Sequence, residues 1–172
     1  PSISADGRYV AFRSKATNLV PGDTNGESDI FVHDRETGQT ERVSVDSSGN
    51  EGNDDSSSPS ISADGRYVAF MSYSTNLVPG DTNGAPDIFV HDRETGQTER
   101  VSVDSDGNQG NGSGPSISAD GRYVAFGSGA NNLVPGDTNG ESDIFVVANP
   151  LSVPSTSAAT VTILDSETGP SP

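Results

Sequence analysis

The chain has 172 residues and a formal net charge of −16, with 9 basic side chains against 25 acidic ones. Such a surface is unsuited to nucleic acid or anionic membranes, because both are bound through clusters of Lys and Arg. The chain has no cysteine, which excludes disulfides and thiol chemistry, and no apolar run reaches the roughly 20 residues that span a bilayer. This acidic excess is typical of a solvated, secreted protein or of one that binds cations.

A block that begins PSISADGRYVAF occurs three times, at Pro1, Pro59 and Pro115. The two spacings are 58 and 56 residues, and a fixed period of this size predicts one supersecondary unit that stacks on copies of itself. Because the chain begins abruptly within a repeat, we expect Pro1 to be an internal boundary of a longer or processed product.

Each repeat is predicted to form four short strands, which can be followed in chain order through the first repeat. Residues 1–4 are extended, an Asp-Gly turn follows at 5–7, and residues 8–14 alternate with a period of two. A Gly- and Asn-rich loop leads to a third strand at 30–34, and a hairpin turn leads to a fourth at 40–45. Apolar residues fall on both faces of the middle strands, so both faces of the sheet need burial.

This pattern predicts an all-β fold, namely a β-propeller made of four-stranded antiparallel blades. A stacked β-solenoid is the competing architecture, but the hairpin turns favour antiparallel pairing. The predicted units are blade 1 at 1–58, blade 2 at 59–114, a partial blade 3 at 115–148, and a Pro/Ser-rich tail at 149–172 with a candidate closing strand at 160–164.

Three blades are fewer than the four or more of a closed propeller. The alternatives are further blades upstream in a longer chain, association of copies of this chain to complete a ring, and stacking of exposed blade faces into a filament. The third repeat also departs from the pattern, since Val147 and Ala148 stand where the first two repeats have His-Asp.

The segment SISADGRYVAF, followed by DIFVHD and TERVSV, resembles the WD-repeat-like propeller repeats of the TolB type. The turn reads Ser-Ala-Asp-Gly-Arg in all three copies, with Ala where those repeats usually carry Pro. The resemblance covers about residues 1–146. It implies a closed ring of blades that binds partners at one end of a central channel, and it implies no particular activity.

The loop sequence NLVPGDTNG recurs unchanged in the three repeats and is followed by an Asp. Counted from the Asp of DTNG, oxygen-bearing side chains stand at positions i, i+2 and i+6 around a Gly. This spacing resembles the middle of a calcium loop. However, a Pro occupies the first expected acidic position, the bidentate Glu is missing, and the same residues are ordinary turn formers. Calcium binding and a plain double turn therefore both remain open. The candidate calcium ligands are Asp23, Asn25, Asp29, Asp81, Asn83, Asp87, Asp137, Asn139 and Asp143.

The remaining polar residues predict no catalytic constellation. The only histidines, His33 and His91, occupy equivalent strand positions and are expected to have a structural or surface role. No Gly-x-Ser-x-Gly nucleophile motif is present.

Two sets of ion pairs are expected near the turns. The first would pair neighbouring residues of each hairpin, and the second would join the arginine of each Asp-Gly turn to an acidic residue of the adjacent blade. The first set is Asp34–Arg35 and Asp92–Arg93, and the second starts from Arg8, Arg66 and Arg122.

The function predicted from the sequence is that of a non-catalytic, extracellular or cell-surface repeat module, with a periplasmic location as an alternative. The module would serve as a binding or structural scaffold, with a protein partner or a second copy of itself, as a homo-oligomer or a filament. Near-identical repeats favour this role, since an enzyme usually collects unlike residues from different blades at one channel mouth. The alternatives are an accessory propeller of a larger secreted hydrolase and a surface filament whose tail inserts as a donor strand.

Overall fold

The computed structural model describes residues 1–138, 140–152 and 162–163, and for Ile163 it describes the main chain alone. This part of the chain consists of strands, turns and loops, without a helix. The strands are β1 (Ser2–Ile3), β2 (Tyr9–Ser14), β3 (Asp29–Asp34), β4 (Thr40–Arg42), β5 (Ser56–Ile61), β6 (Tyr67–Ser72), β7 (Asp87–Asp92), β8 (Gln97–Arg100), β9 (Ser113–Ile117), β10 (Tyr123–Ser128), β11 (Asp143–Ala148) and β12 (Thr162–Ile163).

The strands form three antiparallel sheets of four, each with its strands in chain order. We call β1–β4 the first sheet, β5–β8 the second sheet and β9–β12 the third sheet. The two central strands pair in the same register in every sheet. The predicted all-β class and the four-stranded antiparallel sheets are thereby confirmed.

The fourth strand is shorter than predicted, because a serine hydroxyl takes over from the backbone ladder. Val43 N still donates to Ile30 O at 2.8 Å, but Ile30 N donates to Ser44 Oγ at 3.0 Å. The same exchange occurs in the second sheet, where Ile88 N donates to Ser102 Oγ at 3.1 Å. Each chain segment therefore leaves its sheet earlier than its apolar alternation suggests.

The first strand of the second sheet begins at Ser56, so the predicted boundary between residues 58 and 59 falls inside β5. A bulge accounts for the difference. The register shifts between Ser57 and Ser60, and Ser58 between them has a φ of 53°. Gly114 occupies the equivalent position in β9 with a φ of 57°. A left-handed serine inside a strand has no sequence pattern of its own, so the bulge is not predicted and the strand starts earlier than expected.

The second sheet is buried on both faces, between the first and the third. Val68 and Phe70 of β6 face the first sheet, while Tyr67 and Ala69 of the same strand face the third. A large apolar side chain contributes about 1.5–3 kcal/mol on full burial, so these layers hold the stack together. The layer between the first two sheets comprises Ala11, Ile30, Val32, Val43, Ile61, Val68, Phe70, Leu77 and Phe89.

The Asp-Gly turns of the second and third sheets pack on the tyrosine of the preceding sheet. A Cβ placed on Gly65 would lie 2.2 Å from the Tyr9 ring, and one placed on Gly121 would lie 2.4 Å from the Tyr67 ring. The absence of a side chain therefore lets the turn approach the ring, and the φ of 77° at Gly65 also favours glycine. Backbone bonds of 2.9 Å join the same turns, from Ala5 N to Ala63 O and from Ala63 N to Ala119 O.

At the beginning of the stack, one face of the first sheet has no neighbouring sheet among the described residues. Ile3 is 56% exposed there and pairs with Val10, while Phe12 is half-buried. Their equivalents in the second sheet, Ile61 and Val68, are buried against the first sheet.

Among the described residues, the third sheet leaves the opposite kind of face open at the other end of the stack. Tyr123 and Ile144 are 47% and 45% exposed. Their equivalents, Tyr67 and Ile88, are buried against the third sheet. The described stack therefore has one uncovered sheet face at each end, and the two faces correspond to the two sides of the sheet-to-sheet contact found inside the stack.

The outer strand of the third sheet comes from the tail. β12 lies within the segment 160–164 that was a candidate closing strand, and it pairs Ile163 with Phe145 and Thr162 with Val146. The tail residues 153–161 and 164–172 lie outside the described residues.

Candidate functional site

The three loops that carry the candidate calcium ligands span residues 18–28, 76–86 and 132–142, here called the first, second and third loops. In the first loop, Asn25 Oδ1 accepts a hydrogen bond from Glu27 N at 2.8 Å. Its Nδ2 donates to Asp29 Oδ2 at 3.1 Å and to Gly52 O at 2.9 Å. Asn25 thus forms the turn and ties the loop to the segment that leads to the second sheet.

Asp29 is the first residue of β3 and is fully buried. Its Oδ1 accepts a hydrogen bond from Ser44 Oγ at 2.6 Å. Burial raises the pKa of this carboxyl above its usual value, although hydrogen bonds from Ser44 and Asn25 oppose the effect. The carboxylate therefore needs a nearby positive charge to remain ionised at low energetic cost.

Arg42 supplies that charge in the first loop. Its Nη1 lies 2.7 Å from Glu51 Oε2, 3.5 Å from Asp29 Oδ2 and 3.6 Å from Asp23 Oδ1. Carboxylate oxygens of these three acids also lie within 4.8 Å of one another. Nη2 of the same arginine donates to Gly22 O at 3.2 Å. A guanidinium therefore lies where a metal ion bound by this acidic cluster would lie.

The second loop repeats the arrangement with one change. Arg100 Nη1 lies 3.4 Å from Asp81 Oδ1 and 3.4 Å from Asp87 Oδ2. Gln109 replaces the third acid and accepts from the same Nη1 at 3.0 Å. Asn83 bonds to Asp87 Oδ2 and to a backbone carbonyl in the same way as its counterpart. Burial again raises the pKa of Asp87.

The third loop keeps two acids, but none of the described residues beside them is an arginine. Ile163 pairs with Phe145 at the register position that Arg42 and Arg100 hold in the other sheets. No Lys or Arg follows Arg122 in the sequence. Asp143 is 3% exposed, and its Oδ2 accepts no hydrogen bond from the described residues. Asn139 lies outside the described residues.

The structure brings Asp23 with Asp29, and Asp81 with Asp87, close enough to share one cation. Sequence reasoning missed both arginines, as well as Glu51 and Gln109. The signal that could have found the arginines is the letter-for-letter recurrence of Arg in TERVSV at a fixed distance from the loop.

The second set of predicted ion pairs is corrected by the structure, since the arginines of the first two Asp-Gly turns pair within their own sheets. Arg8 Nη2 lies 2.7 Å from Asp34 Oδ2, and Arg66 Nη2 lies 2.7 Å from Asp92 Oδ2. Hydrogen bonds from the Arg8 guanidinium hold the pKa of Asp34 well below its usual range. In the third sheet the equivalent acid is Ala148.

The predicted Asp34–Arg35 and Asp92–Arg93 hairpin pairs are also wrong. The two aspartates are buried rather than exposed, because they face the turn arginines. The two hairpin arginines instead donate to the carbonyls of Gly7 and Gly65.

Both histidines are bound to the neighbouring strand. His91 Nδ1 lies 2.8 Å from Thr98 Oγ1, and His33 Nδ1 lies 2.9 Å from Thr40 Oγ1. Burial lowers the pKa of His91, which favours its neutral form. These contacts suit the structural role predicted for the pair.

Comparison with known proteins supports the fold of this chain and nothing beyond the fold. No family model and no curated protein matches the chain. The structure of TolB from Agrobacterium tumefaciens is similar with a TM-score of 0.57 and 17% identity, over 95% of this chain and 47% of that one. The tricorn protease gives a TM-score of 0.54 and 18% identity over 86% of this chain and 13% of that one.

The fold is a partial TolB-type β-propeller. A structure from an analysis of two prolyl endopeptidases is also similar, with a TM-score of 0.51 and 18% identity over 97% of this chain and 21% of that one. The propeller chain spans about half the length of the TolB structure that it matches. Identities this low carry the fold and no activity.

Each sheet of this partial propeller corresponds to one blade. A shallow groove lies between the first two blades, and its lining contains mostly small polar and aliphatic side chains, including Ser47, Thr75, Asn76, Leu77 and Thr98. Within the described residues, there is no helix of the length and apolarity needed to cross a membrane.

Proposed function

We propose that the chain is a non-catalytic scaffold module and that it associates with a second copy of itself through the two open sheet faces. The observation that carries this proposal is the complementarity of those faces. Inside the chain, equivalent residues of successive sheets make the same sheet-to-sheet contact twice. Each end of the stack presents one of the two faces that form this contact.

The open face of the third sheet has the pattern that receives a following sheet. Ile144 and Tyr123 are exposed, whereas Ile88 and Tyr67 at the same positions are covered by the third sheet. The open face of the first sheet has the pattern that covers a preceding sheet. A head-to-tail contact between two copies would therefore continue an interface that the fold already contains, and burial of the apolar residues would drive it.

The absence of catalytic activity is part of the proposal and is supported by where the titratable groups lie. Both histidines bond to threonines, and the buried carboxylates of the first two loops face arginines. These groups repeat from one sheet to the next, whereas an active site usually combines unlike residues from different blades.

We also propose an extracellular or cell-surface location, or a periplasmic one, on the strength of the net charge of −16. Calcium binding by all three loops stays a prediction. In the first two loops a metal ion would have to displace Arg42 or Arg100, so weaker binding is expected there than in the third loop.

Sedimentation velocity of the purified chain tests the association. We expect a discrete dimer, or a longer polymer if the contact does not close, and we expect Ile144→Glu to give monomers because it places a charge on the open face of the third sheet. Tyr73→Glu is the matched control, since Tyr73 is 46% exposed and directly follows β6 of the second sheet, which has a neighbouring sheet on each face. A wild-type chain that stays monomeric, or an Ile144→Glu chain that still associates, would reject the proposal.

A further inference from the structure

The first two loops each enclose a positive charge that the chain itself supplies. Arg42 lies among Asp23, Asp29 and Glu51, and Arg100 lies between Asp81 and Asp87. The guanidinium compensates carboxylates that have been removed from water, which would otherwise be costly to keep ionised. In both loops a positive charge therefore balances the buried carboxylates at this position in the fold.

The third loop has the same pair of acids without the arginine. Asp137 and Asp143 stand at the positions of Asp81 and Asp87. Ile163 replaces the arginine in the strand register. The tail contains no Lys or Arg that could take the place of this arginine. The chain therefore offers two carboxylates at this position and no internal charge to balance them.

The buried oxygen of Asp143 identifies the side from which a cation would be bound. Oδ2 of Asp29 and of Asp87 is the atom that faces Arg42 and Arg100. The corresponding Oδ2 of Asp143 is buried and accepts no hydrogen bond from the described residues. A buried, unpaired carboxylate oxygen is costly in a native structure, and a bound ion at this point would remove that cost.

We infer that the third loop binds one divalent cation, with calcium as the natural ligand, through Asp137 and Asp143. Two carboxylates balance a doubly charged ion, and a hard ion of this kind prefers oxygen ligands from a tight, Gly-bent loop. A backbone carbonyl is expected to contribute as well. In the first loop Gly22 O accepts a hydrogen bond from the arginine, and Gly136 is the equivalent residue in the third loop.

The geometry favours a small ion over an arginine from a partner protein. In the first two sheets the guanidinium reaches the acids from the fourth strand, and in the third sheet β12 occupies that strand position. Asp137 is only half-buried, so an ion has access from the solvent side. This inference is independent of the proposed self-association, since the loop belongs to one chain.

Isothermal titration of the full chain with CaCl2, after treatment with a chelator, tests the inference. We expect one calcium per chain. Asp137→Asn should weaken binding by more than about tenfold because it removes one of two charged ligands. Asp81→Asn, the same change in the second loop, should leave the affinity unchanged because Arg100 already occupies that site.

A second variant keeps the test decisive if Asp137→Asn disturbs folding. Ile163→Arg places a guanidinium at the register position of Arg42 and Arg100, and it should abolish calcium binding while circular dichroism still reports the strands. Absence of binding to the wild type would overturn the inference. Three equivalent sites would overturn it too, because the arginines would not be excluding metal.

Discussion

Arg42 and Arg100 are the residues on which the first two loops depend. Each has a side chain that is at most 10% exposed and lies among carboxylates that are buried as well. Replacing a buried ion pair as a unit can be neutral, but removing one partner leaves an uncompensated charge. The arginine is therefore expected to matter far more than a surface arginine.

Arg100→Met should lower the free energy of unfolding by about 3–5 kcal/mol, because Asp81 and Asp87 would remain buried without a cation. Urea denaturation at about pH 7 measures the loss. The matched control is Arg13→Met, whose ion pair with Asp55 is exposed on both sides and is worth at most about 1 kcal/mol.

The loss in Arg100→Met should depend on pH with a definite sign. Burial already raises the pKa of Asp87, and removal of the guanidinium should raise it further. A carboxyl whose pKa is raised in the folded state destabilises the protein above that pKa and ceases to do so when protonated. The difference from wild type should thus shrink between about pH 7 and about pH 4. An undiminished difference would mean that lost packing, rather than charge, explains the effect.

Sequence reasoning located the acids of these loops and missed their arginines. Asp23, Asn25 and Asp29 lie close together in sequence, so a local motif could identify them. Arg42 comes from another strand and meets Asp29 only after β3 and β4 have paired. Contacts of this kind depend on register and side-chain reach, which hydrophobic periodicity does not encode.

At the scale of elements, the contact between a tyrosine and the next Asp-Gly turn fixes how successive sheets meet. Tyr9 receives Gly65 on its ring, and Arg93 also lies over the same ring at 4.3 Å from its centroid. The first turn lacks such a neighbour among the described residues, since the nearest atoms to a Cβ on Gly7 would be 3.7 Å away. Gly7 and Gly65 thus occupy equivalent turns in two sheets, but only Gly65 contacts a preceding sheet.

Gly65→Ala should destabilise the protein by about 1–3 kcal/mol more than Gly7→Ala, because only the first change forces a methyl group into a ring. Both glycines have a positive φ, 77° and 72°, so the backbone strain of about 1–2 kcal/mol is common to the pair. Thermal unfolding of the two variants measures the difference. Equal losses would show that the turn and the ring do not press on each other.

The order and pairing of the strands could be predicted from the repeats, whereas their ends could not. Alternation in RYVAFRS indicated β2 correctly, but nothing in TERVSV signals that Ser44 Oγ replaces a backbone partner of Ile30. The bulge at Ser58 was missed for a similar reason, because a left-handed serine is uncommon and has no pattern of its own.

At the scale of the whole molecule, the two open faces couple stability to association. A second copy that binds the folded state alone raises the unfolding midpoint by mass action. The chain would then be more stable at higher protein concentration, which a monomeric propeller fragment would not be.

We expect the thermal unfolding midpoint of the wild type to rise between about 1 and about 100 μM chain, and the midpoint of Ile144→Glu to stay constant over that range. Differential scanning calorimetry at matched concentrations measures both. Ile144 is 45% exposed in the single chain, so its replacement should leave the monomer itself nearly as stable as before. A concentration dependence that survives the substitution would place the contact elsewhere.

The near-identity of the joints between sheets bears on how such an array changes over generations. Tyr9 with Gly65 and Tyr67 with Gly121 are the same contact made twice, and the backbone bonds between the turns have the same length of 2.9 Å. Because this contact is the same between every two successive sheets, any repeat can follow any other. Duplication or loss of a whole 58-residue repeat would leave every remaining joint intact, so the length of the array is free to vary by recombination without any compensating substitution.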